Sequence, residues 1–194
     1  MHDLRSRVGL VFQDPDDQLF MPTVDEDVAF GPLNMGLARS EVERRVADAL
    51  AAVGMGDRRG RPPHALSMGE RRRVAIATVL AMGPALLVLD EPSASLDPRA
   101  RRELLDILET VDRTMLVTTH DLPLAAELCE RAVILAAGRV VVDGPTEEIL
   151  ADAEVLAAYD LELPAGFDLA RIERRPRPVG LARVEATIAE GSTA

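Results

Sequence analysis

Apolar and polar positions alternate along the chain in blocks that predict strands followed by helices. Apolar or β-rich runs at 7–12, 86–89 and 115–118 are typical of strands, and the run at 86–89 contains no polar residue. A segment with helical periodicity follows each run. This order predicts an α/β fold in which a parallel sheet is covered by helices on both faces.

Three helix starts carry a capping box, in which a Ser or Thr is followed three residues later by Glu. The pairs are Thr23 with Glu26, Ser40 with Glu43, and Ser67 with Glu70. The second of these helices is expected to end at Gly54 and the third at Met82. Beyond Arg73 the third helix is apolar almost all round, which predicts that it is buried.

The second half of the chain continues this alternation and then loses it. The predicted elements after residue 90 are a helix from Pro98 to about residue 112, the strand at 115–118, a helix capped by Asp121, a hairpin of 133–135 and 140–142 around Ala137-Gly138, and short helices near Glu147 and Val155. From Pro164 onward the residues are turn-like or small and polar, so we expect a partly disordered C-terminal extension over 164–194.

Composition excludes several classes of function. All 22 basic residues are arginine, which excludes every mechanism that needs a lysine. The net charge of −11 argues against a protein that coats DNA or RNA. A single cysteine, Cys129, excludes a disulfide framework and fits a reducing compartment. Neither a signal peptide nor a membrane span is visible.

The most informative acidic residues, Asp90 and Glu91, directly follow the apolar run at 86–89. They are expected at the carboxyl end of that strand, where α/β sheets bind ligands. Because side chains alternate along a strand, the two carboxylates point in different directions and suit different roles. Asp90 is placed to orient Mg²⁺ and Glu91 to polarise an attacking water, although strand-end acids also serve simply as helix caps.

Three other segments carry weaker signals. Ser67 and Gly69 lie at a helix N-terminus, which offers free N–H groups to phosphate oxygens, although an ordinary capping box has the same sequence. His120 follows the strand at 115–118, and Gln13 follows the strand at 7–12, where an amide oxygen is able to coordinate Mg²⁺. Taken singly, each of these residues is more often structural, and only their order along the chain makes them specific.

In order and spacing, these features resemble an ATP-binding cassette (ABC) ATPase from about residue 7 to residue 150. The resemblance implies that Gln13 is the Q-loop glutamine, residues 66–70 the signature motif, Asp90 the Walker B aspartate, Glu91 the catalytic glutamate, residues 93–97 the D-loop and His120 the switch histidine. It further implies ATP and Mg²⁺ as cofactors, with the metal served by Asp90 and Gln13. Nucleotide contacts are then expected from His120, from Gln13, and across a cassette dimer from Ser67, Gly69 and Asp97.

Met68 departs from the commonest signature of this family, Leu-Ser-Gly-Gly, because it replaces the first glycine. If that position required positive φ, methionine would be strained by about 1 kcal/mol or more. We expect helical angles there instead, since the first turn of a helix tolerates side chains. Gly69 would then keep the close approach that the motif needs.

Three stretches carry a finer resemblance to the ATPases of cobalt/nickel and energy-coupling-factor (ECF) vitamin importers, namely 11–20, 24–32 and 63–67. A generic importer ATPase with similar loops is the alternative. In the importer ATPases the region after the Q-loop glutamine meets the membrane partner. The resemblance therefore implies that residues 14–36 contact a transmembrane importer component at the cytoplasmic face of the cell membrane.

The 194 residues contain no Walker A loop and no lysine to serve it. In the family, the strand carrying Walker A lies in the core sheet and the next helix covers one face. We therefore expect uncovered apolar surface around 86–89 and no hydrolysis by this chain alone. Truncation of a full ATPase is favoured over a degenerate subunit, because Glu91 and His120 serve ATP held by their own chain's P-loop.

Together these features predict a P-loop NTPase-like (ABC ATPase) domain that is N-terminally incomplete, over 1–163, with a helical signature subdomain at about 22–83. The expected function is to couple ATP hydrolysis to uptake of a transition-metal ion or vitamin, in a homo- or heterodimer with a second ABC ATPase chain. The alternative is a non-catalytic cassette that supplies only the signature half-site to a paired ATPase. Nucleic acid is not an expected partner, given the acidic charge.

Overall fold

The computed structural model describes residues 7–172 and the backbone of 184–189. The strands are β1 (Val8–Val11), β2 (Leu86–Asp90), β3 (Thr114–Thr119), β4 (Arg131–Ala136), β5 (Arg139–Pro145) and β6 (Val184–Ala189). The helices are α1 (Val24–Asn34), α2 (Arg39–Ala52), α3 (Met68–Leu80), α4 (Pro98–Thr110), α5 (Leu122–Leu128), α6 (Thr146–Ala151) and α7 (Ala153–Ala158). Each strand and helix predicted before residue 164 is present, with ends that differ by a few residues.

The six strands form one sheet in the order β1-β2-β3-β6-β4-β5. All neighbours are parallel except β4 and β5, which form the antiparallel hairpin expected around Ala137-Gly138. Both turn residues have positive φ, 49° and 72°, as a two-residue hairpin turn requires. In the register of the sheet, Val11 lies opposite Leu89 and Asp90 opposite Thr118, so β1, β2 and β3 end at the same edge.

Strand β6 lies between β3 and β4, and the sequence did not predict it. It falls within 164–194, where we expected partial disorder, yet its backbone pairs in parallel with both neighbours. Its position is set by two partner strands more than 50 residues away in the chain, so no local sequence pattern predicts it. Much of the expected disorder falls on 173–183 and 190–194, which lie outside the described residues.

In β1 and β2 one face is buried and the other is partly exposed, so the two faces of the described sheet are not covered equally. Leu87 and Leu89 are fully buried, whereas Leu86 and Val88, which point to the other face, are only partly buried. Helices α3, α4 and α5 contact one another in sequence. The partly exposed face matches the uncovered apolar surface that we expected around 86–89.

Helices α1, α2 and α3 pack against one another, within the range where we expected a helical subdomain. Thr23 caps α1 as expected, and α1 continues to Asn34. The prediction that Ser40 caps α2 is wrong, because Ala38 is the N-cap and makes no side-chain bond. The carbonyl of Ala38 accepts from Val42 N, so Ser40 falls inside the first turn.

Helix α3 begins with a complete capping box. Ser67 Oγ accepts from Glu70 N at 3.3 Å, and Ser67 N donates to Glu70 Oε2 at 2.9 Å. The residues that follow Arg73 are buried as predicted, with Val74, Ala75, Ile76 and Ala77 all at zero exposure. The helix ends at Leu80, two residues before the expected end, and Gly83 takes positive φ just beyond it.

Candidate functional site

Four of the expected site residues lie at one edge of the sheet. Asp90 is the last residue of β2 and Glu91 the next, Gln13 lies two residues beyond the end of β1, and His120 directly follows β3. Since these three strands are parallel neighbours, their carboxyl ends bring the four residues to the same edge. We call Gln13, Asp90, Glu91 and His120 the strand-edge site.

Gln13 and Asp90 line one cavity of about 470 Å³ at this edge. Thr118 Oγ1 donates to Asp90 Oδ1 at 2.5 Å, which orients the carboxylate along the end of β3. Carboxylate and amide oxygens are ligands that suit Mg²⁺, which usually takes one or two carboxylates and completes its shell with water and phosphate. Within the described residues, no three His, Cys, Asp or Glu side chains lie together as a group that could hold a metal ion.

Glu91 and His120 form a hydrogen-bonded pair. His120 N donates to Glu91 Oε1 at 3.0 Å, and the ring Nδ1 lies 2.8 Å from the same oxygen. Thr119 Oγ1 donates to the other carboxylate oxygen at 3.2 Å. The Glu91 side chain is 15% exposed and the His120 side chain 68%, so the carboxylate is sheltered while the imidazole faces outward. The pair is therefore able to hold a proton and to contact a ligand.

Glu91 has φ of 43°, in the left-handed region that non-glycine residues rarely adopt. Its N–H donates to Thr118 O at 2.9 Å, so the end of β3 holds the strained backbone in place. Ser95, four residues later, also has positive φ, 62°. Strain of this kind persists only where the surroundings impose it and clusters at functional sites.

A second cavity, of about 520 Å³, opens at the N-terminus of α3. Its lining includes Ser67, Gly69 and Asp97, the remaining residues expected to contact nucleotide, and we call it the signature cleft. Three arginines also line it, namely Arg58, Arg73 and Arg99. Met68 and Ser95 line both this cleft and the cavity of Gln13 and Asp90, so the two cavities are neighbours.

The polar groups of the signature cleft are held by main-chain N–H groups. Hydrogen bonds from the Ser67 N–H, which outweigh the opposing effect of burial, lower the pKa of Glu70. Asp97 caps α4 and accepts from Arg99 N at 2.9 Å and Ala100 N at 3.0 Å, which lowers its pKa. Both carboxylates therefore accept hydrogen bonds from main-chain N–H groups at the start of a helix. The cavity between them stays open to an incoming group.

Met68 is the first residue of α3 and is not among the residues with positive φ. The expectation that methionine takes helical angles there is confirmed. Gly69 is required by a contact that the sequence did not indicate, because a Cβ at this position would lie 2.9 Å from Ala100 Cβ on α4. Carbon atoms of this kind do not approach so closely, so glycine sets how near α3 and α4 lie.

Asp121 is a polar junction that sequence reasoning treated only as a helix cap. It caps α5 through Leu124 N at 2.9 Å, and it also accepts from Ser93 Oγ at 2.9 Å and from Arg101 Nε at 2.9 Å. Burial alone would raise the pKa of Asp121, but the bonds from Arg101, Leu124 and Ser93 bring it below its ordinary value. Asp121 therefore ties the segment after Glu91 to the segment after β3.

Gln18 is a second residue that sequence reasoning missed. Its Oε1 accepts from Phe12 N at 3.0 Å, and its Nε2 donates to Ala75 O and to Thr78 Oγ1, both at 2.8 Å. These bonds close the loop that carries Gln13 and join it to the middle of α3. A glutamine in a polar loop gives no signal of this role, since its partners are up to 60 residues away.

Comparison with known proteins relates this geometry to a known family. Residues 1–94 match the sequence model of the family described as ABC transporter. A relative in Streptomyces avermitilis described as an ABC transporter ATP-binding protein is 62% identical over 87% of this chain and 64% of its own length. The cobalt import ATP-binding protein CbiO of Rhodobacter capsulatus is 48% identical over 92% of this chain and 65% of its own length. The energy-coupling factor transporter ATP-binding protein EcfA of Methanothermobacter thermautotrophicus is 47% identical over 86% and 54%.

Among solved structures, cbiO1 from Clostridium perfringens, part of the ABC transporter complex cbiONQ, has a TM-score of 0.72 at 40% identity. The match covers 84% of this chain and 66% of that one. Over the part that it spans, the chain is similar to ABC transporter ATP-binding proteins and has the P-loop ABC ATPase fold. It spans about two thirds of the relatives' length, 64% of the Streptomyces avermitilis protein. No helix in the described part of the chain has the length and apolar character to cross a membrane.

Proposed function

We propose that this chain is the ATP-binding subunit, or the larger part of one, of an ABC importer of the ECF type for a transition-metal ion or vitamin. The observation that carries the proposal is the pairing of Glu91 with His120 beside Asp90 at the carboxyl edge of the sheet. The similarity to ABC transporter ATP-binding proteins supports ATP as the ligand. The similarity to CbiO and EcfA supports the importer type.

In this proposal each strand-edge residue has one role. Asp90 and Gln13, which share a cavity, hold Mg²⁺, and the metal when bound supplies positive charge to the phosphate oxygens. Glu91 accepts a proton on its carboxylate from the attacking water, and its bonds to Thr119 and His120 fix the direction of that carboxylate. His120 contacts the γ-phosphate from its exposed position. The phosphate cradle must come from outside these 194 residues, which contain no lysine.

The signature cleft is proposed to close over nucleotide held by a second ABC ATPase chain. Ser67 and Gly69 stand at the N-terminus of α3, where first-turn N–H groups favour phosphate oxygens. Arg73 and Arg99 both pair with Glu103, at 2.9 and 3.0 Å, so guanidinium groups line the cleft beside the carboxylate that orients them. Asp97, on the opposite wall, is placed to communicate across the dimer.

Residues 14–36 are proposed to dock the transmembrane importer component, at the cytoplasmic face of the cell membrane. Phe20, Phe30 and Leu33 are 62%, 44% and 56% exposed, and the two rings meet edge to face with centroids 4.9 Å apart. Exposed aromatic residues in one patch are typical of a protein interface. Buried Asp27 holds the patch by accepting from Phe20 N and Met21 N, both at 3.0 Å.

The test of this function restores a phosphate cradle. We would join the Walker A part of the Clostridium perfringens protein ahead of residue 7 of this chain and measure Mg²⁺-dependent ATP hydrolysis. The expected result is turnover that E91Q lowers by roughly 100-fold or more, as for removal of a general base. A fusion that folds and binds ATP, yet hydrolyses it equally well with E91Q, would overturn the assignment of Glu91.

The alternative function is a non-catalytic cassette that supplies only the signature half-site, and the observation that favours it is the complete capping box of Ser67 and Glu70 in the signature cleft. The two functions are separated by mixing the unmodified chain with a complete cassette and an ATP analogue. If ATP-dependent association is lost in S67A but kept in E91Q, and the restored fusion is inactive, the alternative is correct. If the fusion hydrolyses ATP and E91Q abolishes that activity, the catalytic function is correct.

A further inference from the structure

Arg72 is a buried cation whose hydrogen bonds go to main-chain carbonyls. It lies on α3 and is only 1% exposed. One terminal nitrogen donates to Phe12 O at 2.8 Å, and the other donates to Gln13 O at 2.6 Å and reaches Ala94 O at 3.5 Å. One guanidinium therefore touches two loops, the loop after β1 and the loop after β2.

The energetics of Arg72 indicate that stability alone does not explain it. Its Nε is buried without a hydrogen-bond partner, and burial lowers the pKa of the guanidinium against the opposing charges of Asp14 and Asp90. Removing an arginine from water carries a large desolvation cost, and well-packed apolar residues of similar size are often at least as stable in such places. The role of Arg72 is therefore better explained by the main-chain carbonyls that it binds.

The two loops that Arg72 binds belong to different functional surfaces. The loop after β1 carries Gln13 of the strand-edge site, and the loop after β2 leads through Ser95 to Asp97 of the signature cleft. Helix α3 itself begins at the cleft. Its neighbour Arg71 reinforces the first connection, with Nε 3.1 Å from Asp16 Oδ1 in the same loop as Gln13.

We propose that Arg72 is a positioning residue that holds the Gln13 loop and the 93–97 loop against α3, so that the strand-edge site and the signature cleft keep one relative position. The positioning follows from the contacts of Arg72 alone. Its consequence for nucleotide-dependent association rests on the proposed function, because Arg72 does not line the signature cleft and acts on it only through α3 and the 93–97 loop.

The first test measures local opening in the full chain by hydrogen–deuterium exchange. R72M removes all three contacts while keeping an apolar stem, and R72K keeps the charge but lacks the fork that reaches two loops. The matched control is R45M, because Arg45 also donates to main-chain carbonyls, those of Ala81 and Met82, at the far end of α3. We expect amides in 12–18 and 93–97 to exchange at least tenfold faster in R72M and R72K, with no such change in R45M.

The second test measures ATP-dependent association with a complete cassette. R72M is expected to weaken association at least tenfold, with R72K intermediate and R45M unchanged. Unaltered exchange at 12–18 and 93–97 in R72M would overturn the positioning role, as would equal acceleration across the whole chain or in R45M. Local acceleration in R72M combined with normal association would overturn the link to the cleft. If the wild-type chain itself fails to associate, the proposed closure of the signature cleft over a second chain's nucleotide fails, and the exchange result alone decides the role of Arg72.

Discussion

The strand-edge site and the signature cleft are adjacent, yet they are built in different ways. The cleft is made mainly from two helix starts, where Ser67 and Asp97 cap α3 and α4 with bonds that span three residues or fewer. The strand-edge site draws on three strands, and its key bond joins Glu91 to His120 across 29 positions of the chain. Backbone strain does not separate the two surfaces, because Glu91 at the strand edge and Ser95 in the lining of the cleft both have positive φ.

This difference shows which of the two surfaces depends on contacts with the rest of the fold. A capping box forms wherever its few residues adopt a helix start, so the cleft keeps its local geometry with little outside support. The strand-edge site exists only when β2 and β3 are in register, because Thr118 and Thr119 supply the bonds that orient Asp90 and Glu91. Substitutions should therefore damage chemistry at the strand edge and packing or stability around the cleft.

The largest expected effect is on chemistry at the strand edge. In the fusion that restores a phosphate cradle, E91Q should lower ATP turnover by roughly 100-fold or more, because the amide cannot accept the proton of the attacking water. E148Q, at an exposed position of α6, is the matched control and should retain full turnover. Turnover that survives E91Q would remove the functional difference between the two surfaces.

The next effect tests the packing beside the cleft. G69V should destabilise the chain by about 1–3 kcal/mol in urea unfolding, because its Cβ meets Ala100 at 2.9 Å and forces α3 and α4 apart. A100G in the same chain should recover part of that loss, and the double-mutant cycle reports the coupling between the two helices. A cycle with no coupling would show that Gly69 is not needed for this approach.

Asp121, which links the two surfaces through Ser93, should give the clearest pH dependence. Its folded-state pKa is depressed, so it contributes stability above the unfolded pKa of about 3.9, and this is lost as pH falls through the folded value. D121N should cost about 1–3 kcal/mol at pH 7 and flatten the acid limb of the stability curve below about pH 4. An unchanged acid limb in D121N would contradict the role of the Arg101 pairing.

Asp27, which lies outside both surfaces, should show the opposite pH dependence of stability. Burial raises its pKa, against the bonds from Met21 and Phe20, so its contribution to stability declines as pH rises through the folded pKa. D27N keeps the acceptor for those two N–H groups and removes the buried charge. We expect the stability of D27N, measured relative to the wild-type chain, to be unchanged or to increase by up to about 1 kcal/mol between pH 4 and pH 8. If D27N instead loses stability relative to the wild-type chain as pH rises, the raised pKa of Asp27 is contradicted.

The smallest effect is at Met68. Because Met68 already takes helical angles, M68G relieves no strain and should cost less than about 1 kcal/mol, the difference in helix propensity. Thermal unfolding of M68G beside G69V checks this. If M68G and G69V lose equal stability, the cleft tolerates substitution at neither position. The close approach of α3 and α4 would then not distinguish Gly69 from Met68.

By itself, the sequence determined the features that depend on neighbours a few residues away. The starts of α1, α3, α4 and α5 follow from their capping residues, and the buried runs predicted β2 and β3. The order of motifs also identified Gln13, Asp90, Glu91 and His120 and the family to which they point. The same local logic was wrong at Ser40, where a valid capping pattern lies one residue inside a helix that begins earlier.

Only the tertiary structure decided the features that depend on distant partners. It placed β6 between β3 and β4, and it showed that Ala100 on α4 is the neighbour that requires glycine at position 69. It also assigned roles to Arg72 and Asp121, whose bonds reach residues 20 to 60 positions away. Such contacts depend on where whole elements pack, and the polarity or spacing of nearby residues carries no information about that.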